Sequence, residues 1–157
     1  MALGTPADVV ALLRSPLLRV RTALWLMPMN YLGREQEEAV RLRLDAVDLR
    51  QVWLNTLPEG TKHIGLTSDK LLDELDRITE QPGASDCVLV YNVDLFLARL
   101  RQSERKVFWE GLFTALPHRQ RGLLVVMPQR AGDLLPAPDQ LTLWEREGRL
   151  AGTFFAG

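Results

Sequence analysis

The chain has little cysteine, little histidine and no long apolar run, and each shortage removes a class of function. Its single cysteine, Cys87, excludes an internal disulfide and a cysteine-rich metal site. The two histidines, His63 and His118, lie far apart and lack metal-ligand partners at the usual spacing, so we expect no metal site. No run of about 18 apolar residues exists, so we expect no membrane span. Because Asp8 and Arg14 interrupt the first segment, we also expect no secretory signal. The expected location is the cytoplasm.

A strong charge of one sign is also lacking. The formal net charge is -1, which gives no global attraction to nucleic acid or anionic lipid, so any such contact needs a local patch. The length of 157 residues, with 46% hydrophobic and 25% charged residues, suits one domain with a sizeable core. We therefore predict a single α/β domain over residues 1–157. No G-x-S-x-G motif surrounds any serine, which argues against serine hydrolase chemistry.

Short apolar runs predict buried strands. Thr22 to Met27 and Gly122 to Met127 each end at a proline, and a third run begins at Cys87 and loses its apolar character at Tyr91. These runs are too short for ordinary helices and lack the alternation of a half-exposed strand, so we expect strands covered on both faces. Two more strands are predicted, at Val47 to Leu54 and at Arg149 to Phe155.

Helical patterns separate these strands. A helix begins at Thr5-Pro6-Ala7-Asp8 and another at Leu66-Thr67-Ser68-Asp69, each with a capping residue. Further helices are predicted at Gly33 to Ala46, Ser103 to Leu116 and Asp139 to Glu147, although the end of the first of these also alternates like a strand. Alternating helices and strands predict a three-layer α/β fold, with a mainly parallel sheet of about five strands and helices on both faces.

The turn that follows the first strand aligns in part with the phosphate-loop pattern G-x-x-x-x-G-K-[ST]. Gly33 matches the second glycine, but Pro28, Arg34 and Glu35 stand where the first glycine, the lysine and the hydroxyl residue are required. Pro28 lacks an N–H, and Glu35 puts a carboxylate where a phosphate would lie. An ordinary strand-to-helix loop explains the same residues, so this match alone is weak.

A second polar cluster follows the central strand, where Tyr91, Asn92 and Asp94 succeed an apolar run. In phosphate-loop ATPases of the AAA-like kind this strand ends in a magnesium-binding acid, followed by a residue that orients water. Tyr91 stands in the acid position with Asn92 beside it, and an alternative frame makes Asp94 the acid. At the end of the strand that begins at Gly122, only Gln129 could serve as the polar sensor that such ATPases carry.

Together these segments resemble a degenerate AAA-like phosphate-loop domain, and in particular the BrxF family of small ATPase-like proteins from BREX phage-defence systems. The resemblance implies a phosphate-loop NTPase fold. It also implies that Gly33 and Arg34 mark a former phosphate site, that Tyr91, Asn92 and Asp94 mark a former metal and water site, and that hydrolysis has been lost with no cofactor retained.

The resulting expectation is a non-catalytic interaction or adaptor subunit that binds a larger protein or itself, and the resemblance implies a bacterial phage-defence complex as its setting. Four tryptophans are many for this length, and most of them should be core. A surface with Trp109, Phe113 and Trp144 is the predicted partner interface if either of these tryptophans is exposed.

Two alternatives remain open. The chain could be a working ATPase that binds ATP and magnesium through Arg34 and Asp94 in unorthodox roles. It could also be a small nucleic-acid-binding protein that contacts phosphates through Arg119 and Arg121, although a solvated helix end and loop is the favoured explanation of that cluster. Whether the chain is an enzyme is left open, with the missing lysine and hydroxyl arguing against it.

Overall fold

A computed structural model describes residues 4–16, 18–56, 66–114 and 121–152 of the chain. Helices and strands alternate through most of this part. The helices are α1 (Pro6–Leu13), α2 (Glu35–Leu42), α3 (Leu49–Thr56), α4 (Ser68–Glu80), α5 (Val93–Leu97), α6 (Gln102–Thr114) and α7 (Pro138–Arg146). The strands are β1 (Thr22–Met27), β2 (Asp45–Asp48), β3 (Cys87–Tyr91), β4 (Gly122–Pro128) and β5 (Leu150–Gly152).

The five strands form one parallel sheet in the order β2-β3-β4-β1-β5. In the centre of the sheet, Leu123 of β4 pairs with Thr22 of β1 on one side and with Val88 of β3 on the other. The prediction that the apolar runs at Thr22, Cys87 and Gly122 form adjacent parallel strands is confirmed. Because all pairings are parallel, the carboxyl ends of the strands meet at one edge of the sheet.

Each face of the sheet is covered by helices, which confirms the predicted three-layer α/β architecture. Alternate residues of β1 enter opposite cores: Leu24 and Leu26 face one, whereas Ala23, Trp25 and Met27 face the other. Helices α3, α4, α5, α6 and α7 contribute to the first core. Helices α1 and α2 contribute to the second.

The capping residues read from the sequence are confirmed at two helix starts. The Thr5 hydroxyl accepts the N–H of Asp8 at 3.2 Å, and the Asp8 carboxylate accepts the N–H of Thr5 at 3.3 Å, which completes a capping box. Thr67 likewise caps α4 by accepting the N–H of Lys70 at 3.2 Å. These bonds satisfy amide groups that the first turn of a helix leaves without partners.

The predicted helix at Gly33 to Ala46 and strand at Val47 to Leu54 require correction. Helix α2 ends at Leu42 because Arg43 adopts a left-handed conformation with φ of 61°. The second strand then spans only Asp45–Asp48. The Asp48 carboxylate accepts the N–H of Arg50 at 3.0 Å and so caps α3. The remaining residues of the predicted strand therefore belong to helix α3, which spans Leu49–Thr56.

The last predicted strand, Arg149 to Phe155, is shorter in the described part, where β5 covers Leu150–Gly152. Residues 153–157 and the predicted end of α6 at Leu116 lie outside the described residues. The longest described helices, α4 and α6, have 13 residues each. No described helix has the length and apolar character that crossing a membrane requires.

Candidate functional site

A cleft of about 410 Å³ lies at the carboxyl edge of the sheet, between the segments that leave β1, β3 and β4. Strand β1 continues to α2 on one face, while its neighbour β4 continues to α7 on the other. Adjacent parallel strands whose connections leave toward opposite faces open a crevice, and α/β proteins place ligands there. The cleft is lined by Leu32, Gly33, Glu35, Gln36, Tyr91, Asn92, Asp94, Val126 and Pro128.

Four of the five predicted nucleotide-site residues meet in this cleft: Gly33, Tyr91, Asn92 and Asp94. Gly33 has φ of 90°, a conformation suited to glycine, and turns the chain toward α2. Arg34 is exposed at the N-cap position of α2 and is not among the residues that line the cleft. The only basic residue assigned to the site from the sequence therefore lies outside its lining.

The segment between β1 and α2 forms a 3₁₀ turn over Met29–Tyr31. Within it, the N–H of Tyr31 donates to the carbonyl of Pro28 at 2.9 Å, and the N–H of Leu32 donates to the carbonyl of Met29 at 3.3 Å. The N–H of Arg34 donates to the carbonyl of Tyr31 at 2.9 Å. A phosphate loop needs such groups directed at the ligand, and here three of them are used within the turn.

The end of β3 is held from two sides. The Tyr91 hydroxyl accepts a hydrogen bond from Nε2 of Gln36 in α2 at 2.9 Å. Asn92 adopts a left-handed conformation with φ of 66°, and its Nδ2 donates to the Asp48 carboxylate at the end of β2 at 2.8 Å. These two bonds join the end of β3 to α2 and to β2, and they fix the side chains of Tyr91 and Asn92 in the cleft lining.

The electrostatics of the cleft are acidic. Asp94 lies in the first turn of α5, and burial raises the pKa of its carboxyl group, with the negative charge of Glu35 acting in the same direction. Glu35 opens α2 from the other side of the cleft. No lysine or arginine is among the described residues that line it. The cleft lining thus combines the carboxylates of Glu35 and Asp94 with the amide of Asn92 and the phenol of Tyr91.

No group of three or more His, Cys, Asp or Glu residues in the described part is arranged to hold a metal ion. Tyr91 stands at the position where the sequence comparison expected a magnesium-binding acid, and its phenol does not provide the carboxylate oxygens through which proteins usually hold magnesium. Gln129, the predicted sensor, is not part of the cleft lining, and its N–H donates to the carbonyl of Met27 at 2.9 Å.

Glu35 lines the cleft, as its place in the phosphate-loop alignment indicated, but two other polar residues that help to build the cleft were not singled out from the sequence: Gln36 and Asp48. The signal for Gln36 was its place in the first turn of a helix that follows Gly33. Asp48 was hidden inside the predicted strand at Val47 to Leu54. Only the capped start of α3 reveals that Asp48 ends a strand and can reach Asn92.

Arg121, predicted to contact nucleic acid, is buried at the opposite edge of the sheet. Its guanidinium donates to the carbonyls of Ser85 at 3.1 Å and Gln81 at 3.0 Å and forms an ion pair with Asp45. The Arg121 side chain thus links the loop between α4 and β3, which contains Gln81 and Ser85, to Asp45 at the start of β2. Arg119 lies outside the described residues, so its role in binding nucleic acid stays a prediction.

The predicted partner surface at Trp109, Phe113 and Trp144 requires correction, because both tryptophans are buried. The Trp109 indole N–H donates to the carbonyl of Leu134 at 3.0 Å. The half-buried ring of Phe113 packs edge-on against Trp144, with ring centroids 5.1 Å apart. Trp109 and Trp144 therefore belong to the core that α6 and α7 form with the sheet, where large aromatic side chains bury the most area.

A larger groove of about 700 Å³ separates α6 from the connection between β4 and α7. Its lining carries Arg105 and Lys106 but also Glu110, Asp133 and Asp139. Charges of both signs are mixed along it, so the lining shows no preference for a ligand of one charge. Volume alone does not make it the better candidate, and the smaller cleft at the strand ends carries the more specific chemistry.

Comparison of the chain with protein-family models, curated proteins and solved structures finds no match. The α/β fold therefore rests on the strand order and the covering helices themselves. The resemblance to the BrxF family remains a prediction.

Proposed function

We propose that this chain is a non-catalytic, ATPase-like adaptor subunit that binds a larger protein, or a second copy of itself, in the cytoplasm. The resemblance described above suggests a bacterial phage-defence complex as its setting. One observation carries the proposal. The cleft in which an ATPase of this architecture would hold its nucleotide is lined by Glu35 and Asp94 and by no basic side chain among the described residues.

The chemistry of phosphate binding explains why this observation matters. A triphosphate needs inward-pointing N–H groups and a cation, which phosphate loops supply through their backbone and a lysine. In this chain the N–H groups of Tyr31, Leu32 and Arg34 are bonded within their own turn. Two carboxylates in the cleft would repel phosphate oxygens, and the guanidinium of Arg34 belongs to an exposed residue outside the lining.

The alternative of a working ATPase assigns chemistry to Arg34 and Asp94. Asp94 offers one carboxylate ligand for a magnesium ion, but magnesium in such sites is also held by the substrate phosphates. Without a place for the phosphates, one carboxylate does not make a catalytic site. The geometry therefore supports the adaptor function better than the enzymatic one.

The test is a turnover assay on the purified protein with ATP and magnesium. It is run beside an Arg34→Ala, Asp94→Ala double variant. We expect no magnesium-dependent phosphate release and no rise in melting temperature on adding ATP with magnesium, because a ligand that binds only the native state must stabilise it. Phosphate release by the wild type that the double variant lacks would overturn the adaptor function and favour the ATPase.

A further inference from the structure

The residues that line the cleft offer hydrogen-bond acceptors and negative charge in excess of donors. Glu35 and Asp94 contribute carboxylates. Asn92 donates one of its two Nδ2 hydrogens to Asp48 and keeps its amide oxygen as an acceptor, and the Tyr91 hydroxyl accepts from Gln36 and keeps one O–H donor. A site of this composition suits a cation that can donate several hydrogen bonds at once.

Exposed apolar side chains lie close along the chain to residues of the same cleft. The described part has five exposed large hydrophobic residues; two of them are chain neighbours of cleft-lining residues, and a third lies on the helix that supplies Glu35 and Gln36. Met29 follows Pro28 and is 58% exposed, and Leu95 follows Asp94 and is 44% exposed. Val40 is 77% exposed and lies one helical turn after Gln36 on α2. Apolar residues beside a polar cleft are typical of a protein-binding surface.

We propose that the cleft receives an arginine side chain of a protein partner, whose guanidinium pairs with the carboxylates of Glu35 and Asp94 while Met29, Val40 and Leu95 contact the residues around it. This inference rests on the proposed adaptor function and names the chemistry of the partner. It assigns to the cleft a ligand with the charge opposite to that of a nucleotide phosphate.

Arginine fits the cleft better than lysine for a geometric reason. The two carboxylates approach from different elements, Glu35 from α2 and Asp94 from α5. A planar guanidinium has five N–H donors in a fixed fork and can serve both carboxylates at once, whereas an ammonium is a compact point charge. The guanidinium is also weakly hydrated, so less is lost when it leaves water for a partly enclosed cleft.

The apolar surroundings argue for a protein partner rather than a free amine. A small cationic metabolite would occupy the cleft and leave Met29, Val40 and Leu95 in water. A polypeptide that inserts an arginine can cover them with its neighbouring residues, and that burial adds a favourable hydrophobic contribution. Charge complementarity then sets the specificity of the contact, and the apolar contacts add affinity.

The test is a titration of the ¹⁵N-labelled protein with the acetylated tripeptide amide Leu-Arg-Leu, in which NMR measures the shifts of the backbone amide signals. We expect saturable binding, with shifts centred on the amides of Glu35 and of residues 91–95. The matched peptide with citrulline, a neutral isostere of arginine, should bind at least about tenfold more weakly, because it lacks the charge-assisted hydrogen bonds. ATP with magnesium should produce no shifts at these amides.

Variants locate the site. The Glu35→Gln, Asp94→Asn double variant changes charge with little change of shape, and we expect at least about a tenfold loss of affinity for the arginine peptide. Glu37→Gln removes an exposed acid of the same helix that does not line the cleft and should leave binding unchanged. If the double variant unfolds, Glu35→Lys alone serves, since the reversed charge should abolish binding.

The outcomes separate this inference from the adaptor function. Absence of peptide binding, equal binding of the citrulline peptide, or unchanged binding by the double variant would refute the arginine site. Agmatine binding as tightly as the peptide would refute the assignment to a protein partner. ATP turnover in the same samples would refute the adaptor function instead. Absence of both turnover and peptide binding would refute the arginine site alone.

Discussion

Arg149, which precedes β5, is a buried charge whose role can be tested directly. Only 1% of its surface is exposed, and its guanidinium carbon lies 4.5 Å from the ring centroids of both Phe113 and Trp144. Nε donates to the carbonyl of Thr22 at 2.7 Å. One terminal nitrogen donates to the Thr22 hydroxyl at 2.5 Å and to the carbonyl of Phe113 at 3.1 Å. The side chain thus joins β1, α6 and the entry to β5.

Substitution of Arg149 by Met should destabilise the protein strongly. Methionine keeps the apolar length of the side chain but removes the charge and every donor. The two Thr22 oxygens and the Phe113 carbonyl each lose a partner, at about 1–3 kcal/mol for a group left unsatisfied. The ion pair with the half-exposed carboxylate of Glu147, at 3.1 Å, is lost as well and adds less than about 1 kcal/mol. Two cation–π contacts disappear as well. The buried methionine side chain recovers part of the lost stability through apolar burial. We therefore expect the free energy of unfolding to fall by about 4 kcal/mol in total.

Thermal unfolding followed by circular dichroism measures this loss. For a domain of this size the melting temperature falls by about 2–4 °C per kcal/mol, so Arg149→Met should lower it by roughly 8–16 °C. Arg99→Met is the matched control, because the Arg99 side chain is exposed. A surface substitution of this kind usually changes stability by less than about 0.5 kcal/mol. A melting temperature for Arg149→Met equal to that of the control would refute the reasoning.

Three further predictions concern stability. Because burial raises the pKa of Asp94, its ionisation opposes folding as pH rises through the folded-state pKa, so Asp94→Asn should raise the melting temperature at pH 7. The gain should vanish below the ordinary pKa of 3.8, and a gain that persisted there would contradict this cause. Glu104 accepts the Ser68 N–H at 2.8 Å, which lowers its pKa. Glu104→Gln should therefore destabilise the protein above the ordinary pKa of 4.5, with the difference shrinking as pH falls through the folded-state value; a difference independent of pH would count against it. Gly152→Ala should cost more than about 1 kcal/mol in urea unfolding, since φ is 89° and a Cβ would collide with the Leu26 carbonyl, and a neutral effect would refute that collision.

Much of the fold could be predicted because its central strands are short, uninterrupted apolar runs bounded by proline or polar residues. Cys87–Tyr91 and Gly122–Pro128 are covered on both faces, so burial leaves a clear signal in composition. Helix starts were also accessible, since Thr5 and Thr67 cap through their own side chains. Local chemistry was sufficient at these positions.

The region between α2 and α3 could not be predicted, because long-range contacts decide it. Strand β2 has only four residues, and its first, Asp45, is held by Arg121, which lies far away in sequence. Arg43 in a left-handed conformation carries no sequence signal comparable with glycine. The burial of Arg149 was equally hidden, because its partners Thr22 and Phe113 come from other elements.

The candidate site was predicted at the level of position but not of charge. Strand ends of a parallel sheet meet at one edge, and this brought Gly33, Tyr91, Asn92 and Asp94 together as expected. The direction taken by a long side chain such as Arg34 cannot be read from its place beside Gly33. The cleft is acidic because Glu35 and Asp94 line it and Arg34 does not.

Two residues of the cleft lining are in unfavourable states that lower the stability of the fold. Asn92 holds a left-handed backbone with φ of 66°, and Asp94 carries a carboxylate whose ionisation burial and Glu35 oppose. A protein that acted through its overall shape alone would function equally well with Asn at position 94 and Gln at position 35, and the former change should make it more stable. Local costs of this kind are typical of ligand sites, where the bound partner compensates them. This placement favours an adaptor that acts through the cleft itself, and a cation that neutralised Glu35 and Asp94 would remove the electrostatic part of the cost.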